Sequence, residues 1–174
     1  LTQNIQSANN YNGFDISCDN FLDGGIDLSV NGGVTYYNFN WNNGATSEDL
    51  ENIAAGNYNV SITDANNCQI SSTINLNEPT PFSFSSIISD YNGYNISCFN
   101  GSNGFIDYTI GGSVSPYNFN WNGPNGFTSS NEDNNNLSSG DYSLQVIDDN
   151  GCLHSASFEL IEPSILISEI NSLT

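Results

Sequence analysis

The sequence predicts an all-β fold, built as two tandem antiparallel β-sandwich modules followed by the first strand of a third. Three observations carry this prediction. The first is an internal repeat: Tyr11-Asn12-Gly13 through Cys18 returns as Tyr91-Asn92-Gly93 through Cys98, and Tyr37-Asn38-Phe39-Asn40-Trp41-Asn42 returns as Tyr117 through Asn122. Both segments recur 80 positions later, and past Trp41 the spacing widens to 84: Gly56-Asn57-Tyr58 matches Gly140-Asp141-Tyr142, Asp64 matches Asp148, Cys68 matches Cys152 and Glu78-Pro79 matches Glu162-Pro163. A loop within 123–136 therefore carries four extra residues. The second is strand-type alternation, and no segment shows a helical period. The third is regular punctuation by turn residues: Asn12-Gly13, Asn31-Gly32-Gly33, Asn43-Gly44, Asp64-Ala65-Asn66-Asn67 and Asp148-Asp149-Asn150-Gly151.

The elements follow in order. In Ile26-Asp27-Leu28-Ser29-Val30 the apolar residues share a face. Tyr37, Phe39 and Trp41 share another, on what reads as a central strand, and Tyr58, Val60 and Ile62 do the same, as do Ile70, Ile74 and Leu76. The second module repeats each pattern with Ile106 and Ile110; Tyr117, Phe119 and Trp121; Tyr142, Leu144 and Val146; Ala156, Phe158 and Leu160. About seven strands per module result, near 82–88, 94–98, 104–111, 116–122, 133–137, 141–147 and 153–161 in the second copy. Seven short antiparallel strands in roughly 80 residues predict an immunoglobulin-like sandwich. Ile53-x-x-Gly56-x-Tyr58 and Leu137-x-x-Gly140-x-Tyr142 read as tyrosine corners, in which a buried ring returns its hydroxyl to the preceding backbone. Boundaries are expected at Pro79-Thr80-Pro81 and Pro163-Ser164, giving modules 1–78 and 79–162 and the start of a further repeat at 163–174. Proline at such short junctions favours a semi-rigid array, of which this chain reads as a fragment.

Composition narrows the function. The 174 residues contain no Lys, no Arg and nineteen Asp or Glu, for a formal charge of −19. Average composition would supply roughly twenty basic residues. Nucleic-acid binding rests on Lys and Arg neutralising phosphates, and anionic membrane surfaces repel such a chain. Ion pairs to Lys or Arg cannot contribute to stability. Lack of trypsin-type cleavage sites is one consequence of this composition, and an acidic, Asn-rich surface is the plainer account of it. Hydrophobic residues at 37% and aromatics at 12%, arranged in period two, argue against disorder despite the charge. No signal peptide, membrane-spanning run or lipidation motif stands out in this stretch.

The combined pattern resembles the SprB-type repeats of Bacteroidetes gliding and cell-surface adhesins. Its parts are Cys98, Gly104, Ile106-Asp107, Gly111-Gly112, Pro116-Tyr117, Trp121, Leu137, Gly140, Tyr142, Asp148, Asn150-Gly151-Cys152 and Glu162-Pro163. The first module departs at Tyr36, where Pro is usual, at Ile53, where Leu is usual, and at Asn67, where Gly is usual. The resemblance extends over essentially the whole chain. It implies a non-catalytic segment of a very long secreted adhesin at the cell surface, exported by type IX secretion and carried along during gliding. Expected partners are neighbouring repeats, extracellular surfaces or glycans, and the secretion and gliding machinery. A passive stalk, or a carbohydrate-binding accessory module of an exported polysaccharide-degrading enzyme, is the alternative.

Candidate sites reduce to the cysteines. Cys18 is expected to end the second strand of its module and Cys68 to begin the seventh. In an alternating antiparallel sandwich this parity puts both sulfurs at one end. Disulfides Cys18–Cys68 and Cys98–Cys152 are therefore expected, each closing some fifty residues and contributing about 3–4 kcal/mol. A ladder between neighbouring modules and free thiols are the alternatives, and the spacing excludes a CxxC metal knuckle. No cofactor and no catalytic residue is expected. His154 is the single histidine and its counterpart is Ile70, so no Ser has a recurring base. Asp27/Asp107 and Asp64/Asp148 read as a solvent-facing strand position and a turn. Asp19, Asn20 and Asp23 form an oxygen-rich loop, but the second copy reads Phe99, Asn100 and Asn103, and no EF-hand-type motif is present, so no metal site is assigned. The aromatic stripe of Tyr37, Phe39 and Trp41 reads as core and not as a sugar platform. Asn-x-Ser triplets at Asn59, Asn95, Asn100 and Asn136 follow from the abundance of both residues.

Overall fold

The computed structural model describes residues 1–167. The chain divides into two compact units. Unit 1 comprises 1–81 with 112–114 and 150–152, and unit 2 comprises 82–111, 115–149 and the residues from 153 onward.

Unit 1 holds six strands: β1 (Thr2–Ser7), β2 (Gly24–Asn31), β3 (Asn38–Trp41), β4 (Leu50–Ile53), β5 (Gly56–Thr63) and β6 (Gln69–Leu76). They form two antiparallel sheets, β1-β2-β4 and β3-β5-β6. Alternation sends one face of each sheet inward. Ile26, Leu28 and Leu50 of the first sheet meet Trp41, Tyr58, Val60, Ile62 and Leu76 of the second, with Ile16 supplied by a loop. Two sheets sharing one core make a β-sandwich.

Unit 2 repeats the plan with β7 (Ser83–Ile88), β8 (Gly104–Gly111), β9 (Asn118–Asn122), β10 (Thr128–Ser129), β11 (Asn134–Leu137), β12 (Gly140–Ile147) and β13 (Leu153–Leu160). Its sheets are β7-β8-β11 and β10-β9-β12-β13. Ile96, Ile106, Tyr108, Trp121, Leu137, Tyr142, Leu144, Val146 and Leu160 form the core. Among the described residues the regular structure is thus antiparallel β, apart from one 3-10 turn at Pro124–Gly126.

That turn, with β10, has no counterpart in unit 1. There Trp41 is followed directly by a tight turn in which the Trp41 N–H donates to Ala45 O. In unit 2, β10 pairs Thr128 with Asn122 and Ser129 with Trp121. β9 therefore lies inside its sheet, whereas β3 is an edge strand. The expectation of a central strand holds for the second copy only.

The expected strand at 94–98, and its equivalent before Cys18, does not form. The Asp15 and Ile16 N–H groups both donate to Asn77 O, and those of Asn95 and Ile96 both donate to Ile161 O. Two successive amides on one carbonyl cannot propagate a ladder, in which neighbouring amides face opposite sides. The segment serves instead to insert one side chain, Ile16 or Ile96, each fully buried. Of the expected opening strand of a third repeat, 163–167 carry no regular structure and 168–174 lie outside the described residues.

The recurring glycine before Ile106 has a steric cause. A Cβ on Gly104 would lie 2.7 Å from Ile96 Cδ1, 2.8 Å from Leu160 Cδ2 and 3.0 Å from Leu137 O. Gly104→Ala should therefore destabilise unit 2 by about 1–3 kcal/mol through overpacking. Urea denaturation checks this, and an unchanged midpoint would show that Ile96 can retreat without cost.

Candidate functional site

The part of the molecule with a chemistry beyond packing is the loop that presents Cys18. Its conformation is set by side chains that replace a strand ladder. Tyr11 and Phe14 exchange backbone hydrogen bonds across Asn12-Gly13. The Gly13 N–H donates to Asn10 Oδ1 at 2.8 Å. The Ser17 N–H donates to Asp23 Oδ1 at 3.1 Å, and the Asn20 N–H to Glu78 Oε2 at 2.8 Å. Asn20 takes a left-handed φ of 59°, which Asn tolerates better than most residues. The glutamate of the closing Glu-Pro pair thus fastens the cysteine loop.

The same frame exists in unit 2. Tyr91 bridges to Tyr94, the Gly93 N–H donates to Asp90 Oδ1 at 2.7 Å, and the Ser97 N–H donates to Asn103 Oδ1 at 3.1 Å. The Asn100 N–H donates to Glu162 Oε2 at 2.8 Å. The contact to residue 23 or 103 needs an acceptor oxygen and not a charge, so Asp23 and Asn103 are interchangeable there. This accounts for one of the two carboxylates lost in the second copy, Asp23, and leaves the replacement of Asp19 by Phe99 without a structural explanation. Among the described residues no group of three or more His, Cys, Asp or Glu is placed to hold a metal ion.

Onto the Cys18 frame sits the turn Asn150-Gly151-Cys152, which belongs to unit 1 although it lies in the second sequence repeat. Asn150 Nδ2 donates to Ser17 O at 2.9 Å and to Tyr11 O at 3.3 Å, and Asn150 Oδ1 accepts from Asn12 Nδ2 at 2.7 Å. Cys18 and Cys152 form a disulfide with a sequence separation of 134. Both are buried, at 5% and 6% exposure. Cys68 and Cys98 are free and exposed. The expected pairs Cys18–Cys68 and Cys98–Cys152 are therefore corrected. The parity argument placed Cys18 at the end of a second strand, and that strand does not exist. Sequence reasoning also missed Asn150 as a recognition residue. The available signal was the shared Asn66 and Asn150, each two positions before a cysteine.

The turn that carries Cys68 is organised by Asp64. The Val34 N–H donates to its Oδ2 at 3.0 Å, and the Cys68 and Asn66 N–H groups donate to its Oδ1 at 2.9 Å each. The bonds from Val34 and Cys68 hold the carboxyl below its ordinary value of 3.8, against a smaller opposing effect of burial. A depressed folded pKa contributes stability that is present above about pH 3.8 and is lost as pH falls through the lower folded value. Acid unfolding of Asp64→Asn should accordingly depend less steeply on pH in that window than the parent chain. Equal slopes in an acid titration followed by circular dichroism would count against this role.

The remaining candidates resolve as structure. Trp41 and Trp121 are buried, and Tyr37, Phe39, Tyr117 and Phe119 are partly buried against the two core clusters, so the aromatic stripe is core. The tyrosine corners form: Tyr58 and Tyr142 donate from their hydroxyls to Ala54 O at 2.9 Å and Ser138 O at 3.0 Å. Asp27 and Asp107 are exposed strand residues, and Asp27 accepts from Gln6 Nε2 at 3.0 Å. His154 sits among Phe82, Phe84 and Tyr108, where burial lowers its pKa and favours the neutral ring.

The −19 charge has no Lys or Arg to balance it, so solvent cations must do so. The melting temperature should rise from low to moderate sodium chloride. Calcium at matched ionic strength should add little. A gain of many degrees with calcium, lost on Asp19→Ala or Asp23→Ala, would establish a specific site instead.

Comparison with known proteins adds two findings. Residues 14–46 match the family model of the SprB repeat. The matched span contains Cys18, the buried Gly24, Ile26-Asp27, the Gly32-Gly33 turn, Tyr37 and β3 (Asn38–Trp41). A search of curated proteins gives no match.

Proposed function

The chain carries a SprB-type repeat, and from that premise we propose that it is a non-catalytic segment of a large secreted adhesin that acts in surface adhesion and gliding motility. SprB repeats are of the cell-surface adhesin type and non-enzymatic, and the match over residues 14–46 supports that reading for this chain. The single observation behind a role in adhesion and gliding is the duplicated framework around the match. Each copy presents the same cysteine loop, the same tyrosine corner and the same core tryptophan. Such a design suits many weak contacts multiplied along an array. A buried disulfide favours an oxidising location outside the cytoplasm. No helix among the described residues is long and apolar enough to cross a membrane. The partners in this reading are neighbouring repeats, extracellular surfaces or glycans, and the type IX secretion and gliding machinery, without nucleic acid or membrane insertion.

The test uses cells that produce the protein. Beads coated with antibody against this chain should bind the cell surface and travel along it, and deletion of the coding segment should reduce attachment to glass. Beads that bind but stay fixed while attachment is normal would favour the passive stalk. Saturable binding of the purified chain to one polysaccharide, with no surface display, would favour the carbohydrate-binding accessory module.

A further inference from the structure

The two cysteine frames are alike in backbone and unlike in occupancy. In unit 1 the frame of Tyr11, Ser17 and Cys18 is covered by the Asn150–Cys152 turn, and Ser17 and Cys18 are buried at 8% and 5% exposure. In unit 2 the equivalent Tyr91, Ser97 and Cys98 are exposed. Cys98 is nevertheless held in the same way: the Gly101 N–H donates to Cys98 O at 2.9 Å, as the Phe21 N–H donates to Cys18 O at 3.1 Å, and the Glu162 and Asn103 contacts match those of Glu78 and Asp23. The chain also carries a second turn of the docking kind. Asn66-Asn67-Cys68 corresponds to Asn150-Gly151-Cys152, is preformed by Asp64 and is exposed with a free thiol. Asn67 already adopts the left-handed φ of 65° that Gly151 takes at 86°. An open socket and an unused plug therefore occur on one chain, beside an equivalent socket and plug that are joined.

We infer that the Cys98 frame is a docking site for the Asn66–Cys68 turn of a second copy of this chain, closed by a Cys98–Cys68 disulfide. The pairing reproduces the rule seen in Cys18–Cys152, in which the cysteine loop of one repeat receives the Asn-x-Cys turn of the next. In the joined pair, Asn66 Nδ2 of the incoming copy takes the place of Asn150, donating to the carbonyls of Tyr91 and Ser97. Applied along an array, the rule links every repeat covalently to its successor and makes a filament resistant to pulling. The inference rests on the internal repeat and not on the adhesin reading, so either can fail alone.

The covalent step needs an oxidant, here a small-molecule disulfide such as oxidised glutathione. The Cys98 thiolate attacks one glutathione sulfur and releases glutathione thiolate. The Cys68 thiolate of the docked copy then attacks the Cys98 sulfur and releases the second glutathione. Two protein thiols are oxidised to one disulfide and one glutathione disulfide is reduced to two thiols, the two protons lost by Cys98 and Cys68 being taken up by the two released glutathione thiolates.

Two chains of charge −19 repel, so docking calls for salt. The test uses about 1 M sodium chloride, where the Debye length is roughly 3 Å. Protein is set at about 1 mM, comparable to the effective concentration that a short tether supplies. The intact chain, with Cys18–Cys152 formed, is prepared as Cys68→Ser and as Cys98→Ser, and both are treated with oxidised glutathione. Each variant alone should remain a monomer. Their mixture should give at least about tenfold more covalent dimer than either variant alone, stopping at the dimer. The parent chain should give a series of oligomers, and peptide mapping should find Cys98 joined to Cys68 between chains. Adding Asn66→Ala to the Cys98→Ser partner should lower the yield severalfold, which indiscriminate thiol oxidation would not do. Equal dimerisation of the single variants, a mixture that stays monomeric, or Cys68 joined to Cys98 within one chain would each overturn the inference.

Discussion

Replacing both Cys18 and Cys152 by Ser should lower the melting temperature by roughly 10–20 °C. The bond spans 134 residues of sequence. In the chain-entropy model a loop of that length stabilises the folded chain by about 5 kcal/mol, by restricting the unfolded ensemble. For chains of this size 1 kcal/mol corresponds to roughly 2–4 °C. The double variant is the correct comparison, because a single replacement would leave the other sulfur as a buried thiol. Burial of both sulfurs also predicts slow reduction of the native protein by dithiothreitol, with fast reduction once urea unfolds unit 1. Differential scanning calorimetry of oxidised, reduced and doubly substituted protein checks both points. A double variant melting within a degree of the parent would mean that the covalent link adds nothing to the noncovalent docking by Asn150. Rapid reduction under native conditions would contradict the burial.

Trp121→Ala should destabilise unit 2 by about 3–5 kcal/mol, the range for deleting a buried aromatic side chain. Trp121 is fully buried. Its ring lies edge-on to Tyr108 at 6.2 Å and beside Phe158 at 5.5 Å, and its Nε1 donates to Asn131 O at 2.9 Å. Both sheets of unit 2 therefore lean on this one side chain. Trp121→Phe separates the two contributions: packing is largely kept while Asn131 O loses its donor. That variant should cost about 1–3 kcal/mol at most. Trp41 plays the same part in unit 1, donating to Ser47 O at 2.9 Å. Urea unfolding followed by circular dichroism reads the transitions of both units, and the fluorescence of the remaining tryptophan reports whether the other unit stays folded. Loss of both transitions together on Trp121→Ala would show that the units do not fold separately. A loss below 1 kcal/mol would show that the cavity collapses.

The sequence by itself determined most of the architecture. A period of two, repeated at a fixed spacing, decides which residues face inward, because side chains on a strand alternate by geometry alone. Ile26 and Leu28, Tyr58 to Ile62 and their copies are buried where alternation put them. The tyrosine corners were legible for a similar reason, since ring, glycine and carbonyl lie within six residues of each other. The four extra residues of the second copy were placed in the loop where the 3-10 turn and β10 occur.

Tertiary structure decided the rest. The segment before Cys18 has strand-like composition, but its amides are taken by a single carbonyl from 61 residues or more away, a contact that no local pattern encodes. That one difference turns the cysteine loop and undoes a pairing argued from strand parity. Disulfide partners are chosen by where two Cβ atoms meet, and with four cysteines three complete pairings are possible on sequence grounds. The repeat made Cys18 equivalent to Cys98 and Cys68 equivalent to Cys152. Only the folded chain showed that the Asn150 side chain reaches the carbonyls of Tyr11 and Ser17 and brings Cys152 onto Cys18.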